Sequence, residues 1–371
     1  MSKSRTLIES LLSHAGITLN GNQPWDIQVH DDRLYRRVLA QGSLGLGESY
    51  MDGWWDVDEL DEFFCRVLRS ELDSRVEVTP KSLWMYVQAS ILNMQSRVRS
   101  RKVARQHYDL GNDFYISFLD PYNQYTSGYF RDTDDLNEAQ EQKLDLICRK
   151  LQLSADDRVL DIGCGWGGFA KYAASHYGCH VTGITISEEQ LKYARAYCGG
   201  LPVTIQKRDY RDLNKTYDKI LICGMIEHVG YKNYRRIMKV VHENLAEQGL
   251  FLLHTIGGNT SARFSEPWMN KYIFPNSMLP SARQLSAASE GLFVMEDWHN
   301  FGTHYVKTLK AWFDNFQANW DSFRTRYGER FYRMWKYYLL SCAGGFRARK
   351  MQLWQIVFSK QGDPEGYCSI R

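Results

Sequence analysis

The chain has 371 residues, with 46 basic against 43 acidic side chains and a formal net charge of +3. That length predicts one large core with a smaller companion, and the near balance of charge argues against nucleic acid or any other polyanion as the defining partner. Eight cysteines (65, 148, 164, 179, 198, 223, 342 and 368) show no C-x-x-C spacing, which fits reduced thiols of a cytosolic protein and gives no reason to expect a disulfide frame or a metal site.

The first residues, "MSKSRTLIESLLSHAG", read as an amphipathic helix without the apolar core and cleavage site of a secretory signal. Nowhere does the chain offer the ~18 uninterrupted apolar residues that span a bilayer, so any membrane contact is expected to be peripheral. Residues 1–72 carry helical patterning around a turn-rich centre, "GSLGLGESYMDGWWDVDELDEFF", and predict a small helical domain. The tract 73–105 reads as a linker and a basic helix in which Arg97, Arg99, Arg101, Lys102 and Arg105 crowd together. A solvated helix face and a site for anionic headgroups or phosphates both account for that cluster.

From residue 158 the periods alternate. Strand patterns "RVLDIGC", "HVTGITI", "VTIQKRDY", "YDKILICGM" and "LFLLHTIG" are interleaved with helix patterns "GGFAKYAASHYG", "SEEQLKYARAYCG" and "NYRRIMKVVHENLAEQG". The order predicts an α/β fold with a parallel, doubly wound, Rossmann-like sheet. Aromatic-rich helices (305–345) and a last strand, "MQLWQIVFSK", follow. Ligands of such sheets lie beyond the carboxyl ends of the strands, where Asp161 to Gly168, Thr185, Asp209, Glu227 and His254 all fall.

The loop "DIGCGWGG" sets Gly163, Gly165 and Gly168 at the G-x-G-x-x-G spacing, a weak signal by itself. The next strand ends in Thr185 and Ser187 without the acidic residue that a nicotinamide ribose requires, and no G-x-x-x-x-G-K-[ST] is present. The loop resembles instead the first motif of S-adenosylmethionine-dependent methyltransferases. Over nearly its whole length the chain is similar to the cyclopropane fatty acid synthases. The stretches that carry this resemblance are "GSLGLGESYMDGWW", "HYDLGNDFY", "LDPYNQYTSGYF", "LDIGCGWGG", "GITIS", "MIEHVG", "LLHTIG", "NKYIFPN", "EDWHNFG" and "FRARKMQLWQ".

The resemblance implies methyl transfer from S-adenosylmethionine to the cis double bond of an unsaturated acyl chain in a membrane phospholipid. It also implies a lipid-engaging N-terminal domain (1–72), a catalytic domain over 106–371, a homodimer, and a cytoplasmic protein peripherally attached to the inner face of the membrane. An alkene is a poor nucleophile with no proton to remove beforehand, so attack on the sulfonium methyl leaves a carbocation that a small base then deprotonates to close the ring. Such a site needs a dry pocket with cation-stabilising aromatic faces. Tyr129, Phe130, Trp268, Tyr272, Phe274 and Trp298 are candidates, each of them equally a core residue.

In the family the base is a bound bicarbonate. The resemblance assigns it to Glu227, His254, the Ile256 backbone and Tyr305, with Ser127 where many members have Cys. It assigns Tyr125 and Thr126 to the amino-acid end of the methyl donor, Asp161, Gly163 and Gly165 to the loop around it, Thr185 and Gln190 to the ribose, and Asp209, Tyr210 and Arg211 to the adenine. Two other readings are an alkene methyltransferase that leaves the ring open and a catalytically silent lipid-binding homologue. Cys342 is given no nucleophilic role, because the alkene attacks the sulfonium directly.

Overall fold

The computed structural model describes residues 3–71, 110–362 and 364–371; the expected linker and basic helix over 73–105, with Arg97, Arg99, Arg101, Lys102 and Arg105, lies outside them. In chain order, helices α1 (Lys3–Ser13), α2 (Arg33–Gln41), α3 (Ser43–Met51) and α4 (Leu60–Arg69) accompany an antiparallel ribbon of β1 (Gln28–Val29) and β2 (Trp55–Asp56). Helices α5 (Asn112–Ile116) and α6 (Leu136–Lys150) precede the alternation β3 (Arg158–Ile162), α7 (Gly168–Tyr177), β4 (His180–Thr185), α8 (Glu188–Tyr197), β5 (Val203–Lys207), β6 (Tyr217–Cys223), α9 (Tyr234–Asn244) and β7 (Leu245–Gly258). The chain continues through α10 (Pro267–Tyr272), α11 (Ala282–Ser289), β8 (Val294–Asn300), α12 (His304–Asn319), α13 (Arg324–Arg347) and β9 (Met351–Ser359).

Two compact units form from non-contiguous pieces. Among the described residues, the first comprises 3–71, 263–275 and 305–351, and the second 110–262, 276–304 and 352–371. Compactness therefore groups the N-terminal helices with two later segments that the sequence reading had placed in a continuous 106–371 block. The reason is in the packing of small against large. A side chain at Gly47 of α3 would collide with the indole of Trp268, whose ring lies 4.5 Å from that of Tyr337. Glu48, buried beside it, accepts from Arg37, Lys271 and Tyr272, and these bonds hold its carboxyl at about 2 although burial alone would raise it. Cys342 in α13 has its thiol pushed up to about 12 by burial, so it carries no thiolate.

The second unit holds a seven-stranded sheet of order β5-β4-β3-β6-β7-β9-β8 among the described residues. Its strands β5, β4, β3, β6 and β7 pair in parallel, as the alternation predicts. The sheet is not parallel throughout: β8, whose pattern "VMEDWHN" shows no apolar run, pairs antiparallel with β9 at the edge. Helix α9 also stops at Asn244, five residues short of the expected tract, and Leu245 already pairs with Tyr217. Alternation along β3 sends Val159 to the core shared with α6, α7 and α8, and Leu160 and Ile162 to the core shared with α9 and α11. Asp161 projects on the side of Val159, a buried acid among apolar neighbours.

One close approach at the far end of β7 is testable. A Cβ on Gly257 would overlap the Trp354 ring, which itself packs edge-on against Trp298 at 5.1 Å. Gly257→Ala is expected to cost ~1–3 kcal/mol by overpacking, seen as a drop in thermal midpoint of several degrees. An unchanged midpoint would show that this indole moves freely.

Candidate active site

The turn after β3 assigns its glycines different tasks. The amides of Gly163 and Cys164 both donate to the Ile184 carbonyl of β4 at 3.0 Å, locking the loop to the sheet. Gly163, Gly165 and Gly167 have φ of +85°, +54° and +87°. Gly167 and Gly168 serve packing: a Cβ on the first would meet Cys198 Sγ at 3.0 Å, and on the second would strike the Tyr122 carbonyl. Gly165 alone of the four opens onto free space, with nothing among the described residues within 4 Å of the Cβ position. Trp166 Nε1 donates to Asn112 Oδ1 at 2.8 Å, and its ring lies 5.3 Å from Tyr115, which in turn lies 5.3 Å from Tyr125. The stretches "LGNDFY" and "PYNQYTSGYF" thus bring an aromatic cluster to the loop.

The remaining residues expected around the donor stand at successive strand ends. Thr185 donates to Gln190 Oε1 at 3.0 Å, which sets the carboxamide nitrogen on the other side as its donor, and Ser187 caps α8 by accepting from the Gln190 backbone amide. Asp209 is buried, and its Oδ1 takes both the Arg211 amide (3.0 Å) and Arg211 Nε (2.9 Å). The Arg211 guanidinium sits 5.1 Å from the Tyr210 ring.

A residue absent from the sequence reading lies behind Thr126. Lys143 of α6 is fully buried, and its ammonium donates to Gln124 Oε1 and, at 2.9 Å, to Thr126 Oγ1. Gln140, one turn earlier, donates to the Thr126 carbonyl at 2.8 Å. Burial lowers the Lys143 pKa, and Asp120 and Asp161 oppose that shift; burial pushes Asp161 up to about 7, against the pull of Lys143. The signal in the sequence was two polar residues interrupting the core stripe of "LNEAQEQKLDLICRK" where Leu136, Leu144 and Ile147 are buried.

Glu227 follows β6 in a short turn (226–228), and His254 lies on β7 opposite Cys223. Glu227 Oε1 accepts from the Ile256 amide at 2.8 Å, while Oε2 is buried without a partner and burial raises the carboxyl's pKa. The amide of the Ile256 backbone is thus engaged with Glu227, whose carboxyl it orients. His254 Nδ1 stands 3.3 Å from Gln355 Nε2; its Nε2 is buried and unpartnered, and burial drives its pKa well down. Ser127, fully buried, donates its hydroxyl to the Gly128 carbonyl at 2.9 Å. Tyr305 belongs to the first unit, where its ring lies 4.7 Å from Phe346 and 5.9 Å from Trp312.

Among the aromatic candidates, Trp298 packs on Trp354 within the second unit, where Tyr129 stacks on His304 at 5.2 Å and Phe130 lies edge-on to the same ring at 6.4 Å. Trp268, Tyr272 and Phe274 pack in the first unit.

Two outcomes follow from this geometry. Gly165→Val places a branched side chain, strained at φ +54°, in the open space of the loop. Calorimetry should find no binding of S-adenosylmethionine by the folded variant, and wild-type affinity would misplace the loop. His228 is held by desolvation down to about 4, from an ordinary 6.5. The unfolded chain therefore binds a proton on this ring that the folded chain refuses, and its contribution to stability falls as pH drops from 6.5 towards 4. The thermal midpoint of His228→Gln, relative to wild type, should accordingly rise as pH falls through this window. A constant difference between the two would remove His228 from the pH dependence.

The family model described as mycolic acid cyclopropane synthetase matches residues 95–356. The chain is 53% identical over 354 residues, 95% of its own length and 93% of the relative's, to the cyclopropane-fatty-acyl-phospholipid synthase of Escherichia coli K12. It is 32% identical over 376 residues to the sphingolipid C9-methyltransferase of Komagataella phaffii, covering 93% of this chain and 76% of that one. Among solved structures, mycolic acid cyclopropane synthase CmaA1 complexed with SAH and CTAB aligns with a TM-score of 0.66 at 30% identity, over 70% of this chain and 98% of that one. The cyclopropane synthase MmaA2 from Mycobacterium tuberculosis aligns with the same score at 28% identity, again over 70% and 98%. With its open glycine turn, its row of polar residues at the strand ends and these relatives, the chain belongs to the cyclopropane synthase family of S-adenosylmethionine-dependent methyltransferases.

Proposed function

We propose that the protein transfers the methyl group of S-adenosylmethionine to the cis double bond of an unsaturated acyl chain in a membrane phospholipid, and that bicarbonate held at Glu227 and His254 serves the ring-closing deprotonation. The observation that carries this reading is the pair of buried, unpartnered atoms, Glu227 Oε2 and His254 Nε2. A buried acceptor and a buried imidazole nitrogen without partners are costly in a native core unless a ligand satisfies them. One carries a carboxylate lone pair and the other belongs to a neutral ring, a donor set that suits a small oxyanion with a hydroxyl. The open face of Gly165 and the amide nitrogen of Gln190 suit a donor with a ribose in the same way.

When bound, S-adenosylmethionine supplies an electrophilic methyl and bicarbonate a base small enough to share a dry pocket with an acyl chain. The protein's part is to place and to shield. Lys143 occupies a lone pair of Thr126 Oγ1 and so turns that hydroxyl into a donor towards the amino-acid end of the methyl donor. Arg211 occupies Oδ1 of Asp209, leaving the other carboxylate oxygen to read the adenine. Tyr115, Tyr125 and Trp166 exclude water from the loop. Glu227, fixed by the Ile256 amide, accepts the hydroxyl of the anion and raises its basicity. The reading includes a peripheral encounter with the cytoplasmic face of the bilayer, by a homodimer whose N-terminal segment engages lipid. Leu7 of α1, half exposed at 50%, is one apolar side chain available for it, and no helix of the described residues is long and apolar enough to cross a membrane.

Unsaturated phospholipid vesicles with S-adenosylmethionine are expected to yield a product one methylene heavier that resists hydrogenation. A heavier product that is still reduced would establish alkene methylation without ring closure, and no product would leave a lipid-binding homologue. Glu227→Gln should keep donor binding while turnover falls ~10²- to 10⁴-fold, the usual worth of a positioned general base. Bicarbonate depletion should slow the wild type, with recovery on restoring it; indifference to depletion would end the bicarbonate assignment.

A further inference from the structure

Of all the polar groups outside the residues already assigned, Gln355 of β9 touches the reaction site most directly. It is fully buried, and among the described residues its Nε2 is the one hydrogen-bond partner of the His254 ring, 3.3 Å from Nδ1. Burial disfavours the imidazolium form of His254, and Lys143, Lys150 and His299 all act in the same direction. The ring carries a single proton, and the chemistry depends on which nitrogen holds it.

We propose that Gln355 is a positioning residue that fixes His254 in the tautomer protonated on Nε2, so that the unpartnered Nε2–H is a committed donor to the anion opposite Glu227. The orientation of the amide supports this. As it stands, Gln355 Oε1 is the buried atom without a partner. Turning the amide over would set its oxygen against Nδ1 and leave its N–H groups where one carbonyl oxygen now lies, and an orphaned N–H is the rarer arrangement in native cores. With Nδ1 accepting from Gln355, Nε2 must donate. Glu227, in the ionised form that serves this reading, can only accept. The site therefore presents one acceptor and one donor, which discriminates in favour of an anion carrying both an O–H and a negative oxygen. Gln355 itself is held in register by the sheet, paired with His299 across the β8–β9 ladder.

This inference rests on the bicarbonate reading only for its effect on turnover; the tautomer is measurable without it. In protein labelled with ¹⁵N-histidine, the His254 signals, assigned by their loss in His254→Gln, should show Nδ1 at the far-downfield position of an unprotonated nitrogen and Nε2 protonated. The reverse pattern would overturn the proposal even if bicarbonate dependence is strong. Gln355→Leu, close in volume and without a donor, frees the ring. The bicarbonate concentration for half-maximal activity should rise ~10- to 100-fold, the worth of one hydrogen bond to a charged group, while affinity for S-adenosylmethionine stays as in wild type. An unchanged bicarbonate requirement in the folded variant would also overturn it. A wild type that shows the expected tautomer but ignores bicarbonate would instead remove the oxyanion from the proposed function and leave the Gln355–His254 pairing standing.

Discussion

A lysine ammonium shut away from water stands behind Thr126, and the polypeptide around it is arranged to supply its partners. Lys143 satisfies two of its three protons on Gln124 and Thr126, with the buried carboxyl groups of Asp120 and Asp161 near enough to oppose the loss of its charge. An isolated buried charge costs several kcal/mol, so the segment that supplies its partners is held as firmly as the charge itself. Asp120 accepts from the amides of Tyr122 and Gln124 at 2.8 Å each, which folds that segment into a compact turn. Tyr122 in turn fills the place that a side chain at Gly168 would need. One ion thus couples the aromatic turn, the end of β3 and the first turn of α7.

The same economy of polar groups governs the other half of the site. Glu227 and His254 each have one atom tied to the protein and one buried without a partner. Glu227 gives Oε1 to Ile256, Asp209 gives Oδ1 to Arg211, and His254 gives Nδ1 to Gln355. Such half-satisfied groups are preorganised: their orientation is set before a ligand arrives, and the unused atom needs no reorganisation to engage it.

The reach of the sequence is uneven for physical reasons. Strands alternating with helix patterns reveal a parallel sheet, so "RVLDI", "HVTGIT" and "YDKILIC" were legible by their Val, Ile and Leu between helical tracts, and the ligand side of the sheet followed from their carboxyl ends. Edge strand β8 did not, because an exposed strand need not carry an apolar run. Lys143 and Gln355 escaped notice because a polar residue in a core stripe or strand is informative only once its partner is known, and those partners are 17 and 101 residues away. The grouping of 263–275 and 305–351 with the N-terminal helices depends on tertiary contacts such as Trp268 against Gly47, which no local period encodes. The glycine loop was legible as a cluster, while the division of labour within it, open space at Gly165 and tight packing at Gly168, depends on neighbours distant in sequence such as Tyr122.

The strand order has a consequence for the chain as it is being made. β9 lies between β7 and β8 in the sheet, yet it is synthesised after both. Until it emerges from the ribosome, β7 presents an unpaired, apolar edge and β8 has no sheet to join. Exposed edges of this kind template association between chains. Because β9 also carries Gln355, the insertion that closes this seam is the same event that brings Gln355 Nε2 to the His254 ring.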